Sequence, residues 1–122
     1  MALWGPVAAW MALIFGFSSL QMPPGSGTVP DWASHGAVYC ALSMLICRAL
    51  AGGLRPLSAT SAAAAAALAA AYGLTDEWHQ MYVPHRVAEV NDLFKNLGGA
   101  LLGAALFHLL VPRLLPGPRT AA

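Results

Sequence analysis

Charged side chains are scarce in this sequence: Asp, Glu, Lys and Arg make up 9% of its 122 residues. A soluble domain usually carries about 25% of them, which argues against a water-exposed surface of ordinary composition. The net charge of +1 at pH 7 provides no basic surface for nucleic acid. Two cysteines cannot build a disulfide framework, and neither a paired-cysteine zinc spacing nor H-E-x-x-H occurs.

Apolar residues are abundant instead, at 58% of the chain, and the mean hydropathy is +0.62. A membrane-crossing helix needs about 20 mostly apolar residues, and a chain of this length forms one domain. We therefore predict an all-α integral membrane bundle of four antiparallel transmembrane helices, with a single domain over residues 1–122. The four predicted helices cover about 2–20, 31–50, 58–79 and 90–111.

Turn-forming residues separate these segments. A Pro-Pro-Gly-Ser-Gly run at 23–27 follows the first, Gly52-Gly53 follows the second, and Pro112 is expected to end the fourth. Asp31 after Pro30 predicts a helix start with the aspartate as N-cap. The first segment could instead be a cleaved signal peptide, but it has no basic residue at its start and no A-x-A site. We therefore expect a retained helix.

Arginine placement predicts the orientation in the membrane. Arg48 and Arg55 flank the loop between the second and third segments, and Arg113 and Arg119 follow the fourth. In a four-helix chain these regions lie on one side, which the positive-inside rule makes cytoplasmic, with both termini inside. The opposite side carries only two basic residues.

Three of the predicted helices carry polar side chains near the outward end. Positions three or four apart share one face of a helix, and ionisable groups in membrane helices by default face the bundle interior or a wet cavity. We therefore expect an outward-facing polar pocket. Its predicted members are Asp31, His35 and Tyr39 from the second helix, Asp76 and Gln80 from the third, and Asp92 and Asn96 from the fourth.

Two cations and one further acid accompany this set. Arg86 and Lys95 are the predicted partners of the carboxylates, and Glu77 is placed at the edge of the pocket. Glu77 and His79 are about 160° apart around a helix, so they cannot readily share an ion. Hence neither a metal site nor another cofactor is expected.

Several of these residues also have a simpler interpretation. Asp31 and Asp92 sit where helix N-caps sit, and negative charge is favourable there. Tyr39 is more often a packed aromatic residue than a catalytic one. Gly99 and Gly103 continue the polar stripe of the fourth helix as a G-x-x-x-G ridge, against which another helix can press closely.

The polar residues also form a recognisable pattern. Residues 76–86 read D-E-W-H-Q-M-Y-V-P-H-R, residues 92–96 match D-x-x-x-N, and residues 31–39 match D-x-x-x-H-x-x-x-Y. This combination resembles the VanZ-like family, whose pattern is D-E-x-x-Q-x-(aromatic)-(V/I)-P-x-R, then D-x-x-x-N and a glycine-rich helix. Ser18-Ser19 before the prolines resembles the end of the family's first helix. The resemblance covers nearly the whole chain.

The resemblance implies a multi-pass protein of the bacterial cytoplasmic membrane. The founding member of the family is associated with resistance to glycopeptide antibiotics such as teicoplanin, and no established reaction comes with the family. Two positions depart from its pattern: His85 stands where glycine or a small residue is usual, and Trp32 stands where lysine is common.

Three functions are compatible with this pattern. The leading hypothesis is a cell-envelope protein whose pocket engages a polar group of a lipid-linked or cell-wall precursor. An enzymatic version would use His35 as a general base oriented by Asp31, Asp76 or Glu77 as an acid, and Arg86 to hold an anion. Whether catalysis occurs stays open at this point.

The two alternatives are a non-catalytic helix-packing module of the envelope and a proton-coupled transporter. The polar residues do not continue into the cytoplasmic half, which argues against transport. The predicted partners are membrane lipid and the precursor, and small-residue faces would also permit a homo-oligomer.

Overall fold

The computed structural model describes residues 2–20 and 27–115. These ranges form four α-helices and contain no β-strand, which confirms the all-α, four-helix prediction. Most of the turn predicted at 23–27, and Arg119, lie outside the described residues. The helices are α1 (Gly5–Ser18), α2 (Asp31–Ala51), α3 (Ala59–Gln80) and α4 (Val90–Leu114).

The predicted end of α4 at Pro112 is wrong. The helix continues through Pro112 to Leu114. Proline lacks an N–H and so removes one helical hydrogen bond, but this loss falls in the last turn. The Leu115 N–H still donates to the Val111 carbonyl at 2.9 Å, which closes that turn.

The capping interpretation of the two acids is also wrong. Pro30 is the N-cap of α2, and its carbonyl accepts from the N–H groups of Ala33 and Ser34. Asp31 is therefore the first helical residue, and α4 begins after Glu89 with no side-chain cap hydrogen bond. Both aspartates lie in a first helical turn, and their side chains are available for contacts between helices.

Hydrogen bonds between helices establish their directions. At one end of the bundle, the His35 ring near the start of α2 contacts Asn96 near the start of α4. At the other end, His108 Nδ1 of α4 donates to the Leu57 carbonyl, just before α3, at 2.7 Å. Helices α2 and α4 are therefore parallel neighbours, and α3 runs antiparallel to both.

The α2–α4 pair is the most extensive helix contact of the bundle. A Cβ added at Gly99 would overlap the Gly36 carbonyl, with the Gly36 Cα only 2.9 Å away. One turn later, a Cβ at Gly103 would overlap the Cys40 carbonyl. Because glycine has no side chain, the two backbones touch directly along the G-x-x-x-G ridge.

Helices α3 and α1 complete the bundle by different means. The alanine run of α3 buries Ala65, Ala66 and Ala69, because small side chains allow close helix approach. Helix α1 is held by two hydrogen bonds to backbone carbonyls: Trp10 Nε1 donates to Val38 O at 3.0 Å, and Tyr72 Oη donates to Met11 O at 2.6 Å.

Two of the described helices, α2 and α4, are long and apolar enough to cross a membrane. Helix α1 is apolar but has only 14 residues, shorter than the predicted 2–20. Large apolar side chains are exposed on the outside of the bundle, whereas polar side chains are buried inside it. Among the exposed ones are Leu13, Phe15, Phe17, Leu68, Leu74, Leu101, Leu102 and Leu109.

Candidate functional site

His35 is the centre of a polar cluster between α2 and α4. Its Nδ1 lies 2.8 Å from Asn96 Oδ1. Its Nε2 lies 3.5 Å from Asp31 Oδ1 and 3.9 Å from Asp92 Oδ2. Asp31 and His35 are one helical turn apart and Asp92 and Asn96 are also one turn apart, so the contact between parallel helices brings all four together.

Lys95 closes the outer side of this cluster. Its Nζ binds Asp31 Oδ2 and lies 2.9 Å from Asp92 Oδ1. The predicted pairing of Lys95 with carboxylates is therefore present. Asp92 is buried and Asp31 is exposed, so the lysine links an inner acid to an outer one.

A second polar group lies between α2, α3 and α1. Tyr39 Oη donates to Asp76 Oδ2 at 3.4 Å, and Gln80 Nε2 donates to the same oxygen at 3.3 Å. Gln80 Nε2 also lies 3.4 Å from Ser18 Oγ at the end of α1. Tyr39 is almost completely buried, so this group joins three helices in the interior.

Glu77 is buried rather than at the edge of the site. Its side chain is 5% exposed, and neither carboxylate oxygen has a hydrogen-bond partner among the described residues. The Glu89 backbone lies nearby but outside hydrogen-bond geometry. Glu77 was expected at the edge of the pocket because it follows Asp76 in the sequence. The turn of about 100° per residue directs its side chain away from that of Asp76. Asp92 of α4 and His35 of α2 act on it electrostatically.

Arg86 does not form the predicted ion pair. Within the described ranges no carboxylate lies within 4.0 Å of its guanidinium, and Nη1 donates to the Leu20 carbonyl at 3.4 Å. The preceding His85 has φ 64°, a left-handed backbone that favours glycine. This conformation accounts for the small residue that is usual at this position in the VanZ-like pattern.

A cavity of about 810 Å³ opens beside both polar groups. Asn96 and Glu77 are buried and are not among the residues that line it. Much of its wall is apolar and comes from α1. Its lining includes Trp10, Leu13, Ile14 and Phe17 of α1, Asp31, His35, Val38 and Tyr39 of α2, Asp76 and Gln80 of α3, Arg86 of the following loop, and Asp92 of α4.

The sequence prediction missed two features of this region. Ser18 takes part in the interior polar group, although its place at the end of α1 had been noted only as part of the family pattern. The apolar wall from α1 was not predicted either, because α1 carries no polar stripe to mark one side. The signal available in the sequence was the presence of several aromatic residues in a short apolar segment.

Fold and site together define a small helical protein with two apolar helices of membrane-crossing length and a polar cluster at one end. The model of a protein family described as VanZ/LLP1 matches residues 3–111, nearly the whole chain. The chain therefore belongs to the VanZ/LLP1 family, and with its two apolar helices this points to a membrane protein. No curated protein and no solved structure matches it.

Proposed function

We propose that this protein binds the polar headgroup of a lipid-linked cell-envelope molecule in the cavity beside His35 and Asp76. The observation that carries the proposal is the two-sided wall of that cavity. One side presents carboxylates, an imidazole and a guanidinium, and the other presents Trp10, Leu13 and Phe17. An amphipathic ligand satisfies both sides, because its chain covers apolar surface while its headgroup meets hydrogen-bonding groups.

Arg86 indicates the charge of that headgroup. Its guanidinium lines the cavity and is not neutralised by a carboxylate among the described residues. Arginine binds phosphate and carboxylate groups through two parallel hydrogen bonds. A headgroup that combines a phosphate near Arg86 with hydroxyl or amine groups near Asp76 and Gln80 fits this arrangement.

The proposal includes four membrane crossings in the bacterial cytoplasmic membrane, with both termini inside. Large apolar side chains exposed around the bundle support contact with lipid on all sides. Arg48, Arg55 and Arg113 lie at the end of the bundle opposite the polar cluster, in accord with the positive-inside rule. In this orientation the cavity opens toward the outer leaflet.

A second candidate function is a non-catalytic packing module, in which the polar residues only hold the helices together. The direct backbone contacts at Gly99 and Gly103 favour it, as does the burial of Asn96 behind His35. In that case substitution of Arg86 would leave the melting temperature unchanged, because among the described residues its guanidinium hydrogen-bonds only to the Leu20 carbonyl.

The test is lipid binding by the purified protein. We expect native mass spectrometry to show a complex with an added polyprenyl phosphate in preference to phosphatidylethanolamine. Arg86→Gln should weaken this complex about tenfold, since it removes a hydrogen bond to a charged group. Asp76→Asn should weaken it as well, and Arg86→Gln should still insert and melt like the wild type, because Arg86 takes no part in the interior polar group.

Arg55→Gln is the matched control, because Arg55 lies in the loop at the opposite end of the bundle. It should bind the probe like the wild type. Equal binding by wild type and Arg86→Gln would rule out the proposed headgroup site. Loss of binding that merely follows a lower melting temperature would favour the packing module instead.

A further inference from the structure

The two aspartates beside His35 each divide their oxygens between two neighbours. Asp31 Oδ2 and Asp92 Oδ1 face Lys95 Nζ, whereas Asp31 Oδ1 and Asp92 Oδ2 face His35 Nε2. One oxygen of each carboxylate is therefore left for a partner other than lysine. With His35 Nε2, these atoms form a set of three that all lie within 4.8 Å of one another.

The protonation of the other ring nitrogen of His35, Nδ1, bears on the nature of the partner that the free carboxylate oxygens would take. Because Asn96 Oδ1 is an acceptor, the Nδ1 that lies 2.8 Å from it carries the proton. In the neutral ring, Nε2 then presents a lone pair toward two carboxylate oxygens. Three acceptors that face one another are unfavourable unless a proton or a metal cation lies between them.

The burial of Glu77 without a hydrogen-bond partner is a second and independent observation. It is more than nine-tenths buried, and neither of its oxygens has a partner in the described part of the chain. The charged groups that act on it most strongly are Asp92 and His35, so its carboxylate faces the same cluster. The charged form of a buried carboxyl group is costly, and a proton, an opposite charge or a metal ion relieves that cost.

The charges of the side chains near His35 also favour a bound cation. Asp31 and Asp92 lie beside His35, and Lys95 supplies the only ammonium group that contacts them in the described ranges. Glu77 is close enough for Asp92 and His35 to act on it electrostatically. When all three carboxyl groups are ionised, three negative charges face one lysine, and a divalent cation would balance the remaining two.

We propose that Asp31, His35 and Asp92 bind one divalent transition-metal ion, of which Zn²⁺ is the best match. Zinc binds histidine nitrogen and carboxylate oxygen at about 2.0–2.2 Å, so ligands of a tetrahedral ion lie about 3.4 Å apart. The His35 separations are 3.5 and 3.9 Å, and all three ligand atoms lie within 4.8 Å of one another, so a bound ion would draw the two carboxylates closer together. The fourth position is left for Glu77, for water or for a ligand from the cavity.

Asn96 is the hydrogen-bond acceptor that a metal-bound histidine usually requires. Such histidines donate their other ring N–H to a fixed acceptor, which sets the tautomer and the ring orientation. Asn96 Oδ1 is this acceptor and is held in place by burial between α2 and α4. No metal site was expected from the sequence, because Glu77 and His79 lie on different faces of α3. Asp31 and Asp92 come together only through the parallel packing of α2 and α4.

Isothermal titration of the untagged, chelator-treated protein in detergent with Zn²⁺ tests the site. We expect one ion per chain and weaker binding of Mg²⁺, because imidazole nitrogen favours zinc. Asn96→Ala should weaken binding about tenfold, as is typical when the partner of a metal-bound histidine is lost. Asp92→Asn should weaken it further, and His108→Gln, at the opposite end of the bundle, should leave it unchanged.

Lys95→Met separates this proposal from a purely structural role of the cluster. Without the ammonium group the carboxylates attract a metal ion more strongly, so Zn²⁺ should bind more tightly than to the wild type and should restore the melting temperature lost in chelator. If Nε2 carries the proton instead and donates to the aspartates, no heat of binding will appear. That result, or binding retained by Asp92→Asn, would overturn the proposal.

The titration contains no lipid, so its result is independent of the headgroup proposal. Asp31, His35 and Asp92 all line the cavity, and a phosphate bound there could complete the coordination of the metal. That extension rests on the proposed function. Zinc binding without binding of polyprenyl phosphate would support the metal site and rule out the proposed lipid ligand.

Discussion

Gly99→Ala is expected to unfold or separate the α2–α4 pair. The added methyl group would overlap the Gly36 carbonyl, which belongs to the backbone of a facing helix and cannot rotate away. Overpacking of a well-packed interior costs about 1–3 kcal/mol, and backbone against backbone should lie at the upper end. The melting temperature in detergent measures the effect, which should appear as a large decrease.

Gly98→Ala is the matched control on the same helix. Nothing lies within 4 Å of a Cβ added at Gly98, so the methyl group meets open space. Replacing glycine in a helix by alanine then stabilises by about 0.5–1 kcal/mol. Similar melting temperatures for the two variants would show that α2 and α4 do not touch as described.

Glu77→Gln is expected to raise stability while it impairs the site. The wild-type carboxylate is buried without a hydrogen-bond partner among the described residues, and an unsatisfied buried group costs about 1–3 kcal/mol. A glutamine has nearly the same shape, carries no charge and can donate to neighbouring acceptors. The melting temperature in chelator should therefore rise, and zinc binding should weaken.

Glu89→Gln provides the comparison, because Glu89 is an exposed acid just before α4. Both substitutions remove one negative charge, but only Glu77→Gln removes a buried one. We expect Glu89→Gln to change neither the melting temperature nor zinc binding. A strong destabilisation by Glu77→Gln would mean that its carboxylate already has a partner, and the argument from an unpaired acid would then fail.

The number and order of the helices could be predicted because four mostly apolar segments alternate with turn-forming residues. Glycine or proline marks most of the boundaries between them. The exceptions are physical. Pro112 was expected to end α4, but a proline in the last turn removes only one hydrogen bond. Helix α1 is shorter than its apolar run, because apolar composition alone does not define where a helix begins and ends.

Part of the site could be predicted because each polar stripe follows from helical geometry. His35 and Asp31 share a face of α2, as do Asp92 and Asn96 of α4, and the structure brings the four together. The pairing between stripes could not be predicted. It depends on α2 and α4 touching at their glycines, which sets the depth of each residue relative to the other helix.

The ion pairing of Arg86 and the burial of Glu77 were mispredicted for a related reason. Arg86 follows a residue with left-handed φ, and a single such residue redirects the chain in a way that periodicity does not describe. Glu77 was expected at the edge of the pocket because it follows Asp76 in the sequence. Its burial instead depends on how closely α3 approaches α4. The alanines of α3 allow that approach, and only the packed structure shows its extent.

The parallel arrangement of α2 and α4 also has an electrostatic consequence. Each helix has a macrodipole, with a positive partial charge at its N-terminus and a negative one at its C-terminus, and two such dipoles side by side repel in a low-dielectric medium. Asp31 and Asp92 lie in the first turns, and Arg48 and Arg113 lie in the last turns. Each charge opposes the partial charge of its own helix end. Arg48 and Arg113 thus reduce the repulsion between the two most closely packed helices of the bundle.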